Sequence, residues 1–179
     1  MPDYIREARK AAREGDYSKA GDMFSLGGDE KSARDMYLKG GHYALAARLV
    51  EKNQDWKSAA KYYIQCGKFR EAAEIYGKRL RDYRMASAMY EKSGDMLHAS
   101  AMAEKAGEIP RAAFLAEQAD MLDRAAALYV RVQKYEKAAD AYSRILKQLL
   151  AEKEEKGFWK AIETGWRVPA MQPAGSIAV

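Results

Sequence analysis

The sequence predicts an all-α protein, an α-solenoid of about eleven short helices followed by a C-terminal capping helix. Three observations predict it. A thirteen-residue phrase returns eleven times, in units that start at Pro2, Gly15, Gly28, Gly41, Gln54, Gly67, Arg81, Gly94, Gly107, Asp120 and Gln133. Inside each unit the apolar or small residues stand at positions three, six, seven and ten, the i, i+3, i+4, i+7 spacing of one helix face and not the alternation of a strand. Turn and cap residues recur at the unit boundaries. A period this short, spread over most of the chain, is the signature of a repeat array.

The unit can be read position by position. Position one is Gly in six units, suited to the left-handed residue that ends a helix. Position two is acidic at Asp3, Asp16, Asp29, Asp55, Asp82, Asp95 and Glu108, where a carboxylate can cap the next helix and complement its positive end. Position six is Ala in every unit after the first, and position seven is small in every unit except at Arg34. Positions three and ten are mostly aromatic; position three is apolar in every unit except at Glu30. Position twelve is Lys or Arg in eight units, against the negative end of the helix. Each helix is then about ten residues, roughly 15 Å long. Helices below ~12–15 residues are unstable alone, so these must stack, with small residues allowing close approach and aromatics filling the space around them.

Along the chain, the first unit is the most polar, with Arg6, Arg9, Lys10 and Arg13, and reads as an N-terminal cap. The unit from Gly67 carries one extra residue, which predicts an irregular turn. Pro110 falls in the first turn of its helix, where proline costs little. After Gln133 the helix overruns its unit, with Ile145, Leu146, Leu149 and Leu150 on an apolar edge; it is expected to stop at Lys156-Gly157. Phe158, Trp159, Ile162 and Trp166 suggest a further short helix. The expected organisation is a solenoid over residues 1–146, a capping helix with a Trp-containing segment over 147–167, and a flexible Pro/Gly/Ala tail over 168–179, linker-like and leading to further domains.

Gly15-Asp16-Tyr17-Ser18-Lys19-Ala20 resembles the turn and second helix of a tetratricopeptide repeat, as do Gly67-Lys68-Phe69-Arg70-Glu71-Ala72-Ala73 and Gln133-Lys134-Tyr135-Glu136-Lys137-Ala138-Ala139. Two units here span 26 residues against 34 in the standard repeat, so the pattern looks more like the compact TPR-like solenoids of intraflagellar-transport and coatomer-type subunits. The resemblance covers residues 2–146 and implies a right-handed superhelix that works as a scaffold or trafficking adaptor. It carries no binding-residue set, because the groove-lining positions of the standard repeat have no counterpart.

Composition bounds the function. The 179 residues carry a net charge of +5, mild enough that nucleic-acid binding is not required. No run of eighteen apolar residues and no signal peptide stand out, and Cys66 is the single cysteine, so a cytoplasmic chain without an internal disulfide is expected. No nucleophile–base pair, phosphate loop, paired carboxylates or metal-ligand spacing is present, and His42 and His98 stand alone; an enzyme, a metal site and a cofactor are not expected. A small-molecule substrate is not indicated, and the expected partner is a protein or peptide.

Three sets of residues are candidates for binding. Lys78, Arg79, Arg81 and Arg84 surround the irregular turn and form either an acidic-ligand site or a solvated loop. Position eight, usually polar, becomes Ala88, Ala101, Phe114 and Ala127 in four consecutive units, which makes either a broader core or an apolar groove for a partner helix. Trp159 and Trp166 either anchor an interface or close the end of the array. Two alternatives to a partner-binding scaffold remain: self-assembly, end to end if the terminal caps are incomplete, and polyanion binding through the basic faces.

Overall fold

A computed structural model of the chain describes residues 3–163. Its helices are α1 Tyr4–Glu14, α2 Tyr17–Leu26, α3 Glu30–Lys39, α4 Tyr43–Lys52, α5 Trp56–Gln65, α6 Phe69–Ile75 with a π-helical turn Tyr76–Leu80, α7 Tyr83–Lys92, α8 Met96–Lys105, α9 Ile109–Gln118, α10 Leu122–Arg131 and α11 Tyr135–Glu163. No strand occurs among the described residues. Each helix packs against the next in sequence, one helix per repeat unit. Tyr4, Glu30, Trp56 and the other position-three residues are the first residue of every helix, so the period seen in sequence is the period of the fold.

The turns explain that regularity. Position one has positive φ at all ten internal boundaries: Gly15, Gly28, Gly41, Gly67, Gly94 and Gly107, but also Gln54, Arg81, Asp120 and Gln133. The next residue's N–H then reaches back to the position-ten carbonyl, as in Asp29 N to Phe24 O at 2.9 Å and Glu108 N to Ala103 O at 2.9 Å. This is the closing bond of a Schellman turn. Six of the seven acids at position two cap as expected, accepting from the N–H three residues on at 3.0–3.2 Å. Glu108 makes no cap. Its carboxylate is instead held by Arg84 at 2.6 Å and Arg111 at 3.4 Å.

The extra residue of the Gly67 unit does not make a loop. It is absorbed in the π-helical turn Tyr76–Leu80, whose wider hydrogen-bonded ring takes one more residue per turn. Asp82 N still closes on Tyr76 O, at 2.9 Å, the same position-two to position-ten bond as in the other turns. The array therefore continues through the insertion in register.

Buried small residues line the helix seams. The position-six alanines from Ala20 to Ala125 are fully covered, and position seven is as tightly packed at Ala47, Ala60, Ala73, Ala113 and Ala126. The two positions face opposite neighbours. Ser87 Oγ, at position seven of α7, donates to Ala99 O, at position six of α8, at 2.9 Å; Ser100 Oγ does the same to Ala112 O at 2.8 Å. Position six thus faces the preceding helix and position seven the following one. Position-ten side chains Phe24, Tyr37, Tyr63, Tyr90 and Tyr129 are buried.

Helices two apart are joined by ion pairs. Arg111 reaches Glu91 at 2.6 Å, Arg124 reaches Glu104 at 2.8 Å, Arg131 reaches Glu104 at 2.5 Å and Arg144 reaches Glu117 at 3.2 Å. Consecutive packing together with these pairs arranges odd-numbered and even-numbered helices as two rows, which is the layout of an α-solenoid.

The C-terminal region departs from expectation. Lys156-Gly157 does not interrupt the last helix, and no separate short helix follows within the described residues; α11 is one rod from Tyr135 to Glu163. A single glycine in an exposed helix costs about 1 kcal/mol against Ala, too little to break a run otherwise rich in Leu, Ala, Lys and Glu. The capping helix is therefore the prolongation of the eleventh repeat helix. Trp166 and residues 168–179 lie outside the described residues.

Candidate binding surface

The basic cluster at the π-helical turn is engaged within the protein. Lys78 Nζ lies 2.8 Å from Glu74 Oε2, and that hydrogen bond raises the Lys78 ammonium above its ordinary range. The Arg79 guanidinium lies over the Trp56 ring, 4.7 Å from its centroid. Arg84 is paired with Glu108 across two helices. Arg81 is exposed, in the left-handed backbone that ends the turn, with φ 54°. Beside the turn opens a concavity of about 240 Å³ lined by Glu51, Tyr63, Glu71, Glu74, Ile75, Lys78 and Arg79. Three glutamates face two cations there, so the concavity does not favour an anion. Lys78 and Arg79 belong to helical backbone and not to a solvated loop.

Arg79 belongs to a recurrent feature that sequence reasoning missed. A cation near the end of one helix covers the position-three aromatic of the helix before it: Lys39 over Tyr17 at 4.8 Å, Lys92 over Phe69 at 5.7 Å and Lys105 over Tyr83 at 5.8 Å. These aromatics are half-buried, and a cation above the ring adds about 0.5–1 kcal/mol at such sites. The position-twelve lysines complement the helix dipole and also serve the neighbouring helix. The signal that could have found this is the pairing of aromatic and cation 22 residues apart, as in Tyr17 with Lys39 and Tyr83 with Lys105.

The position-eight residues do not form one stripe. Ala88 and Phe114 lie on α7 and α9, in the odd row, whereas Ala101 and Ala127 lie on α8 and α10, in the even row. Ala88 and Ala101 are half-buried, and Ala127 is exposed. Phe114 is 48% exposed on a helix whose Ala112, Ala113, Leu115 and Ala116 are all buried. Its ring stands on a firmly packed helix without contributing to the core. Trp159, 56% exposed, is carried on the projecting part of α11.

His98 shows how completely the polar groups of the array are used. Its Nδ1 lies 2.8 Å from Asp95 Oδ1, its ring stacks on Tyr90 at 5.2 Å between centroids, and Arg70 approaches Asp95 at 3.7 Å. Burial raises the Asp95 carboxyl, but the His98 hydrogen bonds and the charges of His98 and Arg70 outweigh it and hold Asp95 below the ordinary range. Glu104 is likewise held low, by Arg124 first and then Arg131. Among the described residues no group of three or more His, Cys, Asp or Glu is placed to hold a metal ion, and no helix is long and apolar enough to cross a membrane.

Fold and surface together define a class: an α-solenoid built from one thirteen-residue helix-and-turn unit repeated in register. Comparison with protein-family models and with curated proteins finds no match to this chain.

Proposed function

We propose that the protein is a non-catalytic scaffold or localisation module that binds a partner protein or peptide on the solenoid surface. The observation that carries this reading is Phe114, an aromatic side chain 48% exposed on a helix fixed by burial on both sides. Aromatic anchors on rigid elements are typical of binding hot spots, because little conformational freedom is lost on contact. The engagement of Lys78, Arg79 and Arg84 by Glu74, Trp56 and Glu108 supports a protein partner over a polyanion. The resemblance to compact TPR-like solenoids supports the same class of work, that of a trafficking or transport adaptor in the cytoplasm.

The test uses the full chain as bait in a lysate of its source organism at moderate salt, with Phe114→Glu and Arg81→Glu variants beside it. One dominant protein, retained by Arg81→Glu and lost from Phe114→Glu, is the expected result. Recovery of nucleic acid alone, released by salt, defeats the proposal.

A further inference from the structure

The two ends of the array are built differently. Position six faces the preceding helix, and α1 has none; there the usual Ala is replaced by Glu7, exposed beside Arg6 and Lys10, while Ala8 at position seven is fully buried against α2. Position seven faces the following helix, and among the described residues no helix follows α11. Yet α11 keeps the interior residues: Ala138 at position six is buried, while Ala139 at position seven is exposed. Around Ala139 stand Tyr135, Tyr142, Leu146, Leu149 and Leu150, each between 48% and 63% exposed. Among the described residues the outer face of α1 is charged, and the outer face of α11 carries interior-type residues that are exposed.

These side chains form one exposed, largely apolar stripe, on the scale of the ~300–600 Å² found for the largest patch on a monomer. The stripe has a second property: the four-three spacing of positions three, seven and ten, common to the repeat helices, runs on past position ten only in α11. Tyr135, Ala139, Tyr142, Leu146 and Leu149 are spaced four, three, four, three, the seam of a two-helix coiled coil. The same spacing then continues through Lys153, Lys156 and Lys160. The seam is therefore apolar for its first half and basic for its second.

We propose that this face is covered by α11 of a second copy of the chain, packed antiparallel about a two-fold axis near residue 144. In that register Leu146 of one copy lies opposite Tyr142 of the other, Leu149 opposite Ala139, and Lys153 opposite Tyr135, twice each by symmetry. A parallel pair would set Lys153, Lys156 and Lys160 against their own copies. The antiparallel pair instead brings Lys153 over the exposed ring of Tyr135, on the rim of a concavity of about 400 Å³ that Gln133, Lys134, Glu136 and Lys137 also line, so the contact is with the ring and not with a surplus of acid. That contact reproduces, between copies, the cation-over-aromatic lid that Lys39, Lys92 and Lys105 place on Tyr17, Phe69 and Tyr83 within the array. End-to-end stacking does not answer the chemistry, because it would press Glu7, Arg6 and Lys10 of α1 onto the stripe and leave buried charge without a matching partner.

The full chain is examined by sedimentation equilibrium from low to high micromolar concentration, with Leu149→Glu and with cysteine variants made in a Cys66→Ser background. The expected result is a rise from the 20.1 kDa monomer to twice that mass, with no larger species. Leu149→Glu should remain monomeric throughout with unchanged helical circular dichroism, since Leu149 is exposed and outside the core. On oxidation, Ala139→Cys with Leu149→Cys in one chain should give a covalent dimer, and each single variant should not. A covalent dimer from Leu149→Cys alone would mean a parallel pair, and open-ended growth in mass would mean stacking. A monomer at every concentration would mean that another segment or another protein covers the face. Any of these three results overturns the proposal.

Discussion

Gly21 separates the argument from the repeat pattern and the argument from the structure. It stands at position seven of α2, in right-handed helical backbone, a place where most units carry Ala. In a helix interior Ala is favoured over Gly by about 1 kcal/mol, so pattern and propensity alone make Gly21→Ala stabilising. The structure predicts the reverse. A methyl on Gly21 would lie 2.4 Å and 2.5 Å from Cε1 and Cδ1 of Tyr37, far inside the ~3.5–4.0 Å at which carbon atoms pack. Tyr37 has no room to yield, because its ring is buried and its hydroxyl donates to Asp22 Oδ1 at 2.6 Å. Either α3 moves off α2 or the ring leaves and forfeits that bond. Overpacking costs about 1–3 kcal/mol and the hydrogen bond about 0.5–1.5 kcal/mol. Against the propensity gain of about 1 kcal/mol, the net loss is about 1–2 kcal/mol, the larger figure if the bond is also lost. Urea unfolding followed by circular dichroism should show a lower midpoint for Gly21→Ala, and Tyr37→Leu should remove most of the penalty in a double-mutant cycle. A Gly21→Ala midpoint at or above that of the wild type would refute the reasoning.

The Tyr129 hydroxyl is pushed up to about 12 by burial and by its hydrogen bond to Glu117. A raised value means that the folded state keeps a proton the unfolded state gives up, so its contribution is complete below about pH 10 and is lost between about pH 10 and 12, on the order of 2 kcal/mol; urea midpoints across that window should fall less steeply for Tyr129→Phe, and parallel curves would show that this group is not responsible. Glu104 has the opposite sign: held low by Arg124 and Arg131, it stabilises above about pH 4.5 and loses that effect as acid protonates the folded state. The pair is partly exposed, so Glu104→Gln should cost about 1 kcal/mol or less at pH 7 and flatten the acid limb of a thermal-melt series; an unaltered acid limb would discount the Glu104 cluster. Arg34 replaces the small residue at position seven of α3, and the buried core divides near it, with Phe24, Tyr37 and Leu49 in one cluster and Ala47, Val50 and Tyr63 in another. Native-state hydrogen exchange should therefore find α1–α3 opening at lower free energy than α5–α10, and equal protection across the chain would contradict a seam.

Much of the fold was legible because it is set by local chemistry repeated many times. Left-handed turn residues, acidic caps and the three-six-seven-ten face each mark the same boundaries, so the helix starts followed from the residues. The misreadings arose where a position answers to something outside its own unit. Glu108 looks like a cap in sequence, but Arg84 and Arg111 take its carboxylate. The insertion after Gly67 predicted an irregular turn, but its helical form depends on Asp82 closing on Tyr76 across one extra residue. Gly157 looks like a stop only if one exposed glycine outweighs its neighbours. The candidate surface was less legible still. Charge clustering at Lys78, Arg79, Arg81 and Arg84 is visible in the chain, whereas the internal partners of three of them come from α5, α6 and α9. Phe114 was distinguishable as an apolar residue at a usually polar position, but separating it from Ala101 and Ala127 required knowing that successive helices fall in different rows.

The same dependence on neighbours governs the packing of the whole array. Position seven of one helix and position ten of the next, sixteen residues on, share one volume. Gly21 accommodates Tyr37, and Ala47 and Ala113 precede Tyr63 and Tyr129. Where position seven is Ser87 or Ser100, the residue sixteen further on is Ala103 or Ala116, and the hydroxyl is satisfied by the facing carbonyl. The residue that fits at position seven is thus decided together with the helix that follows it, as at Gly21 and Tyr37, and not within its own unit. A consensus unit written without regard to its neighbour would break that match even though every residue in it occurs somewhere in the chain. It follows that a terminal helix shows which neighbour its residues suit. At α1 the side facing no helix has become charged, with Glu7 in place of Ala. At α11 the side that faces no described helix keeps Tyr135, Ala139 and Tyr142, residues suited to a seam, and the same spacing continues through Leu146 and Leu149, as the proposed pairing of two long helices requires.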